Sequence, residues 1–246
     1  MTLLLALLAF ASTDCQPAHA YGPSECEVRT LTLPADGDLT VRNDVSGAIA
    51  VRAWDRDEIE VRAEVRAYDS RGRSAADLLA ATVLEAGDVL RPVTEGGGWV
   101  EVAFTISVPR DTDLDVRTNN GSVSVEGVAG TLRIDSNNGA VRLTDVSGDV
   151  EAKTSNGNVV IDLEGETWDG DGLSASTRNG DVRLVVPERY AALVDAGTSY
   201  GSVGGIEDDG IEGFRSARES ARLYLGAGGP TIRLRTRNGD VQLVRG

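Results

Sequence analysis

The chain has 246 residues and a formal charge of −15, with 39 acidic against 24 basic side chains. That balance excludes a role built on nucleic-acid phosphates, which need clustered positive charge. Apolar residues at 41% are enough for a buried core, and 29 glycines with 4% aromatics suit many short strands joined by tight turns.

Leu3–Ala11 is an apolar run too short to span a bilayer as a helix, and Ala18-His19-Ala20 has the small-x-small form of a signal-peptidase site. Residues 1–20 are therefore expected to be a signal peptide and the protein to be exported, to the periplasm, the cell surface or the medium. The run lacks the usual preceding Lys or Arg. Cys15 raises lipidation as an alternative, although Ser12-Thr13-Asp14 departs from the usual lipoprotein pattern. Cleavage after Ala20 leaves Cys26 as the sole cysteine and allows no internal disulfide. No later stretch is apolar enough to cross a membrane, so an integral membrane protein is not expected.

Residues 21–30, with Gly22, Pro23 and Ser24, read as a linker. Residues 31–108 read as an N-terminal β region with strands over Leu31–Leu33, Leu39–Val41, Ile49–Val51 and Ile59–Val65. Ser74-Ala-Ala-Asp77 resembles a capping box. The absence of Gly and Pro from Ala75 to Ala86 predicts one short helix there, ended by Gly87. Val100, Val102, Phe104, Ile106 and Val108 alternate with less apolar residues, the pattern of a half-buried strand.

From 109 to 246 one phrase recurs six times, starting at Leu114, Leu132, Val150, Leu173, Val194 and Ile232, with turn glycines Gly121, Gly139, Gly157, Gly180, Gly201 and Gly239. Fixed self-similarity of about 18 residues means stacked coils, a β-solenoid. Leu114, Val116 and Thr118 share one side of a strand. After Asn120-Gly121 the apolar parity flips to Val123 and Val125, as a chain rounding a corner with its apolar side inward requires. Glycine suits such a corner because it reaches positive φ without a Cβ clash. Val128 and Val146, in the return bends, are expected to point inward. Leu39 to Val51, around Gly47, is a degenerate seventh copy with one extra residue in its turn. Pro34, Pro109 and Pro187 each close an apolar run and precede a copy.

Outward positions test the stack. Asp115, Arg133 and Glu151 form one column and Arg117, Asp135 and Lys153 another, with signs alternating in both; in-register parallel stacking would place these charges side by side. The alternation fades at Arg233, Arg235 and Arg237. Residues 205–230 break the period and read as an insertion looping from one face, with Arg222–Leu225 as a candidate strand. Residues 31–246 are expected to form one continuous domain.

The phrase Leu114-x-Val-x-Thr-x-Asn-Gly121-x-Val-x-Val, its later copies, the Val-Pro phrase before it and the closing Gly226–Ile232 with Asn238-Gly239 resemble bacterial exported proteins catalogued as putative adhesins, a domain of unknown function. The likeness covers roughly residues 30–246. It implies a right-handed, single-stranded β-helix at the cell envelope or surface, and no catalytic residue.

Each candidate for chemistry has a plainer explanation. Gly197-Thr-Ser-Tyr-Gly201 matches the serine-hydrolase elbow, but it is the fifth copy's turn and the chain's one histidine, His19, lies in the leader. Asp169-Gly-Asp171, Asp36-Gly-Asp38 and Glu207-Asp208-Asp209 offer oxygens to calcium, yet read as solvated acidic turns. Asp208 and Asp209, with Arg215 or Arg218, are the best carboxylates for glycoside chemistry, while Trp54, Trp99 and Trp168 are scattered. Asn120, Asn138, Asn156, Asn179 and Asn238 form a corner column, read as a structural ladder. Thr118, Ser136, Thr154, Thr177, Thr198 and Thr236 suit inward hydroxyls that donate to backbone groups.

No catalytic residue, cofactor or metal site is therefore assigned. The expected function is a non-enzymatic, adhesin-like envelope or surface module for a protein or polysaccharide ligand. The alternatives are a carbohydrate-active β-helix enzyme, and a structural or signalling protein that binds a protein partner by an exposed strand edge. Ile232–Leu243, with little chain after it, is the edge that offers itself for self-association.

Overall fold

A computed structural model describes residue 15 and residues 24–70, 72–205, 215–217 and 219–246. The described residues are all-β apart from one short helix, and their strands join into one sheet. The first elements are β1 (Ser24–Pro34), β2 (Asp38–Ser46), β3 (Ile49–Trp54) and β4 (Glu58–Tyr68), then α1 (Ala75–Ala80), β5 (Thr82–Ala86), β6 (Leu90–Thr94) and β7 (Trp99–Pro109). β4 runs antiparallel between β1 and β7, and β7 runs parallel to β3. The five alternating apolar residues of β7 are all buried.

Two expectations for this region are corrected. Residues 24–30 of the expected linker are strand: Ser24 pairs with Tyr68 and Thr30 with Arg62, and Val28 is buried. The helix expected over 75–86 stops at Ala80. Ser74 caps it by accepting the Asp77 amide at 3.1 Å, but Asp77 bonds back to the Ser74 hydroxyl, while Asp69 takes the Ala75 amide. Thr82 and Val83 are β-branched and find cross-strand partners in Thr94 and Val93, so the chain turns into a hairpin with Gly87 at its tip. Arg29 closes the helix end by donating to the carbonyls of Leu79 and Thr82.

Each later copy gives a long strand, a glycine corner and a short strand. The pairs are β8 (Asp113–Asn120) with β9 (Val123–Glu126), β10 (Ala129–Asn138) with β11 (Val141–Thr144), β12 (Ser147–Asn156) with β13 (Val159–Asp162), and β14 (Gly172–Asn179) with β15 (Val182–Val186). Next come β16 (Ala192–Tyr200) with β17 (Val203–Gly204), the hairpin strands β18 (Arg215–Ala217) and β19 (Ser220–Leu225), and β20 (Thr231–Asn238) with β21 (Val241–Arg245). Coils stack in parallel and in register: Leu132 lies on Leu114 and Val150 on Leu132, while Val141 lies between Val123 and Val159. All six are buried, as are Val128 and Val146 in the return bends. β2 and β3 form the first coil, and a register shift between Asn43 and Ser46 absorbs the extra turn residue.

The stacking order departs from the chain order. β20 pairs with β14 on one side and β16 on the other, and β21 lies between β15 and β17. The sixth copy is thus spliced between the fourth and the fifth, with Ile232 between Leu173 and Val194. The Ile232–Leu243 segment is therefore no free edge, and self-association through it does not hold. The fifth copy ends the stack, and β19 covers it by pairing antiparallel with β16, with β18 outside. Part of the expected insertion loop is this two-stranded cap; 206–214 and 218 lie outside the described residues. At the other end β6 meets β2 at Leu90 and Val41, and α1 packs on β4 and β1.

Close approach is what the corners demand. A Cβ on Gly139 would lie 2.0 Å from the Gly121 carbonyl oxygen, although Gly139 needs no left-handed φ. At Gly180 both constraints act, with φ +146° and the Gly157 oxygen 2.2 Å from the Cβ position. The glycine requirement thus comes from coil-to-coil contact as much as from the turn.

Candidate functional site

The long strands turn every second side chain outward and form a flat polar face. In its first half the register places Arg133 between Asp115 and Glu151, and Asp135 between Arg117 and Lys153, as the alternating signs predict. The ion pairs themselves run diagonally or along a strand. Arg42 of β2 grips Asp115 with two bonds of 3.0 and 2.7 Å, Arg117 approaches Asp115 at 3.5 Å, and Lys153 pairs with Glu151. The Arg42 hydrogen bond holds the Asp115 carboxyl below its ordinary value, with the charges of Arg42, Arg117 and Arg133 adding to it against the opposing effect of burial.

In the second half the spliced order matters. Arg233 and Arg235 of β20 lie beside Asp195 of β16, with Arg235 at 2.8 Å and Arg233 at 3.8 Å from its carboxylate. The alternation that fades in chain order resumes in stacking order, Glu151, Ser174, Arg233, Asp195. Ser174 and Ser176 of β14 are small, and a groove of about 460 Å³ opens over Ser174 between Glu151 and Arg233, with Asp149 and Asp171 at its end.

The asparagine column is a ladder. Asn138, Asn156, Asn179 and Asn238 each donate to the side-chain oxygen of the asparagine one coil away, at 3.0, 2.9, 2.8 and 2.7 Å. The ladder ends where Tyr200 takes the place next to Asn238. Just past the corner runs a second ladder: Asn158 accepts the Asp181 amide, Asp181 the Asp240 amide and Asp240 the Ser202 amide, at 2.9, 2.8 and 2.7 Å. Behind the corner, the hydroxyls of Ser136, Thr154, Thr177, Thr236 and Thr198 each donate to the corner-glycine carbonyl of the adjacent coil. Thr118 is the correction: among the described residues its buried hydroxyl has no partner, and the Gly47 carbonyl accepts instead from the Asn43 side chain.

The remaining sequence candidates are dispersed. The Gly197–Gly201 pentad is the end of β16 and its corner, with Ser199 exposed and Thr198 bonded to Gly239. Glu207, Asp208, Asp209 and Arg218 lie outside the described residues, as does the side chain of Arg215. Asp36 and Asp38 are exposed on the turn into β2, and Asp171 lines the groove over Ser174. Trp168 is buried and donates to the Gly148 carbonyl, Trp99 packs on Tyr68, and Trp54 lines a second groove of about 410 Å³ with Arg52, Arg110, Glu126 and Asp145. Among the described residues, the acidic and sulfur groups close enough to share a metal are Cys15, Cys26 and Glu64. The two cysteines are bonded as a disulfide, so the uncut chain does contain the internal cross-link that cleavage after Ala20 would remove.

Sequence reading missed the neighbours of the second half. Thr177–Val182 and Thr236–Val241 both spell Thr-Arg-Asn-Gly-Asp-Val, and these identical segments stack directly on one another. That repeat was the available signal.

No helix among the described residues is long and apolar enough to cross a membrane. No curated protein sequence matches the chain. Among solved structures, a putative cell adhesion protein from Clostridium sporogenes is similar at 9% identity and TM-score 0.52, over 90% of this chain and 100% of that one. A putative adhesin from Bacteroides fragilis is similar at 12% identity and TM-score 0.47, over 89% and 96%, and one from Parabacteroides merdae at 13% and 0.45, over 89% and 96%. The first of these likenesses bears on the fold alone. The model of the Toastrack DUF4097 family matches residues 30–244, and the chain belongs to that family.

Proposed function

We propose that this protein is an exported, non-enzymatic, adhesin-like module that presents the outer face of its long strands to an envelope or surface ligand. The observation that carries this reading is the in-register stack, capped at both ends, with its polar face held by coil-to-coil bonds. A rigid array of repeated side chains lets many weak contacts sum without paying for loop ordering. The description of the Clostridium structure as a putative cell adhesion protein agrees with it. Residues 31–246 are read as one domain because strands from both parts share one sheet, and the winding is read as right-handed and single-stranded, as the resemblance implies. The main alternative is a carbohydrate-active enzyme using Asp208 and Asp209.

The test is direct. Cells making the full chain are fractionated, the mature amino terminus is weighed, and the purified protein is incubated with isolated envelopes. Recovery in the envelope or medium, with saturable envelope binding and no depolymerisation of polysaccharide, is expected. Cytoplasmic retention, or turnover lost on replacing Asp208 and Asp209, would overturn the proposal. The mass also settles the cysteines: a start at Tyr21 removes Cys15 and leaves Cys26 as a thiol.

A further inference from the structure

Charge is unevenly spread over the outer face. On β8, β10 and β12 five carboxylates, Asp113, Asp115, Asp135, Asp149 and Glu151, stand with three cations, Arg117, Arg133 and Lys153. On the next four strands of the stack, β14, β20, β16 and β19, five arginines stand with one carboxylate, Asp195. Asp195 is already engaged by Arg233 and Arg235. Arg178 and Arg237 lie side by side, between the pairs Thr177–Thr236 and Asn179–Asn238. Both are exposed, and among the described residues neither guanidinium has a hydrogen-bond or ion-pair partner. Like charges at neighbouring strand positions cost stability. From β8 to β16 the other members of this column are Asn119, Asn137, Ser155 and Ser199, and none is acidic. The flanking residues there are Ser155 and Ser199, too short to cover an arginine.

We propose that this arginine face binds an anionic polysaccharide, a linear glycan bearing carboxylate or phosphate groups. The inference rests on the adhesin-like reading and gives its ligand a chemistry. Guanidinium forks bind carboxylate and phosphate oxygens bidentately. Adjacent strands set the two arginines about 4.8 Å apart at the backbone, so a ligand with repeated anions engages several at once. Exposed tyrosines bound the strip: Tyr200 is 69% exposed at one end of β16, and Tyr224 is 47% exposed opposite Leu193. The seven residue steps between these rows span roughly 23 Å. Their rings offer an apolar face with a polar tip, which suits sugar rings, and the serines offer hydroxyls. These tyrosines are the large apolar side chains exposed on the described part of this face, which lacks the aliphatic anchors a bilayer surface would take up.

Binding of the full chain to polygalacturonate, to neutral dextran and to phosphatidylglycerol vesicles tests this by titration at low and moderate salt. Expected are saturable, salt-sensitive binding to polygalacturonate and none to dextran. Arg178→Ser with Arg237→Ser should weaken it at least about tenfold, with the melting temperature unchanged or raised because a repulsion is relieved. Arg117→Ser, in the half where carboxylates outnumber cations, should leave it unchanged. Absence of polygalacturonate binding, binding indifferent to the double substitution, or binding to vesicles alone each overturns the proposal. If the double variant still binds envelopes as the unaltered protein does, the arginine face is refuted and the adhesin-like reading survives; if the unaltered protein binds neither envelopes nor glycan, both fail.

Discussion

Asn179 and Asn238 are 59 residues apart in the chain and joined by a 2.7 Å side-chain hydrogen bond. The bond marks the place where the last copy enters the stack ahead of the copy that precedes it. Because β20 and β21 are central rather than terminal, the coil that ends the stack, β16 with β17, depends on a segment synthesised after it.

Deletion of residues 231–246 should therefore do more than trim an end. It leaves β14 and β16 facing an empty coil, with their ladder amides and carbonyls unpaired. Hydrogen exchange should show loss of protection over both Leu173–Asn179 and Val194–Tyr200, while β8 and β10 stay protected. Retained protection in β16 would mean that the last copy is not spliced.

The corners give a sharp contrast between two glycines. A Cβ on Gly239 would lie 2.1 Å from the Gly180 carbonyl oxygen, with φ at +149°, whereas Gly87 has open space and no left-handed φ. Gly239→Ala should cost at least about 3 kcal/mol, since backbone must move on two coils. Gly87→Ala should stay within about 0.5 kcal/mol of the parent or stabilise it. Urea unfolding of the two variants measures the difference.

Two threonines in one column should respond in opposite ways. Thr154 donates to the Gly139 carbonyl at 2.8 Å, so Thr154→Val should cost about 1 kcal/mol. Thr118 has a buried hydroxyl with no partner among the described residues, and Thr118→Val removes that unsatisfied polar group. It should be neutral or stabilising by about 1 kcal/mol. Equal losses in both variants would show that the Thr118 hydroxyl is bonded in solution.

The repeat was legible because period and parity are written into each copy: Val123, Val141 and Val159 sit where the flip after the corner puts them. The splice was not, because consecutive elements usually neighbour one another. Only the shared Thr-Arg-Asn-Gly-Asp-Val segments hint that the fourth and sixth copies touch, and with that contact hidden, Arg178 and Arg237 read as two unrelated surface charges. The first part of β1, residues 24–30, escaped notice because Gly22, Pro23 and Ser24 look like a linker and its outward positions Glu25 and Glu27 mask a strand that buries Val28. The helix was overextended because local composition permits it as far as Ala86, while the partners of Thr82 and Val83 across the hairpin win the competition.

Arg42 and Asp115 tie the degenerate copy of β2 to the copy that starts at Leu114, and their pair predicts a pH dependence. Arg42 grips both carboxylate oxygens and also donates to the Asp115 carbonyl at 3.1 Å. The folded Asp115 carboxyl titrates below its ordinary 3.8. A lowered carboxyl contributes stability that is fully present above the unfolded value and is lost as pH falls through the folded one. Arg42→Ala should therefore cost about 1 kcal/mol near neutral pH, a modest figure because both side chains are partly solvated. Below pH 3.8 the gap between parent and variant should shrink, leaving what the backbone carbonyl bond supplies. Unfolding curves taken across the acid range check this, and a gap that widens on acidification would assign the stabilising role to another group.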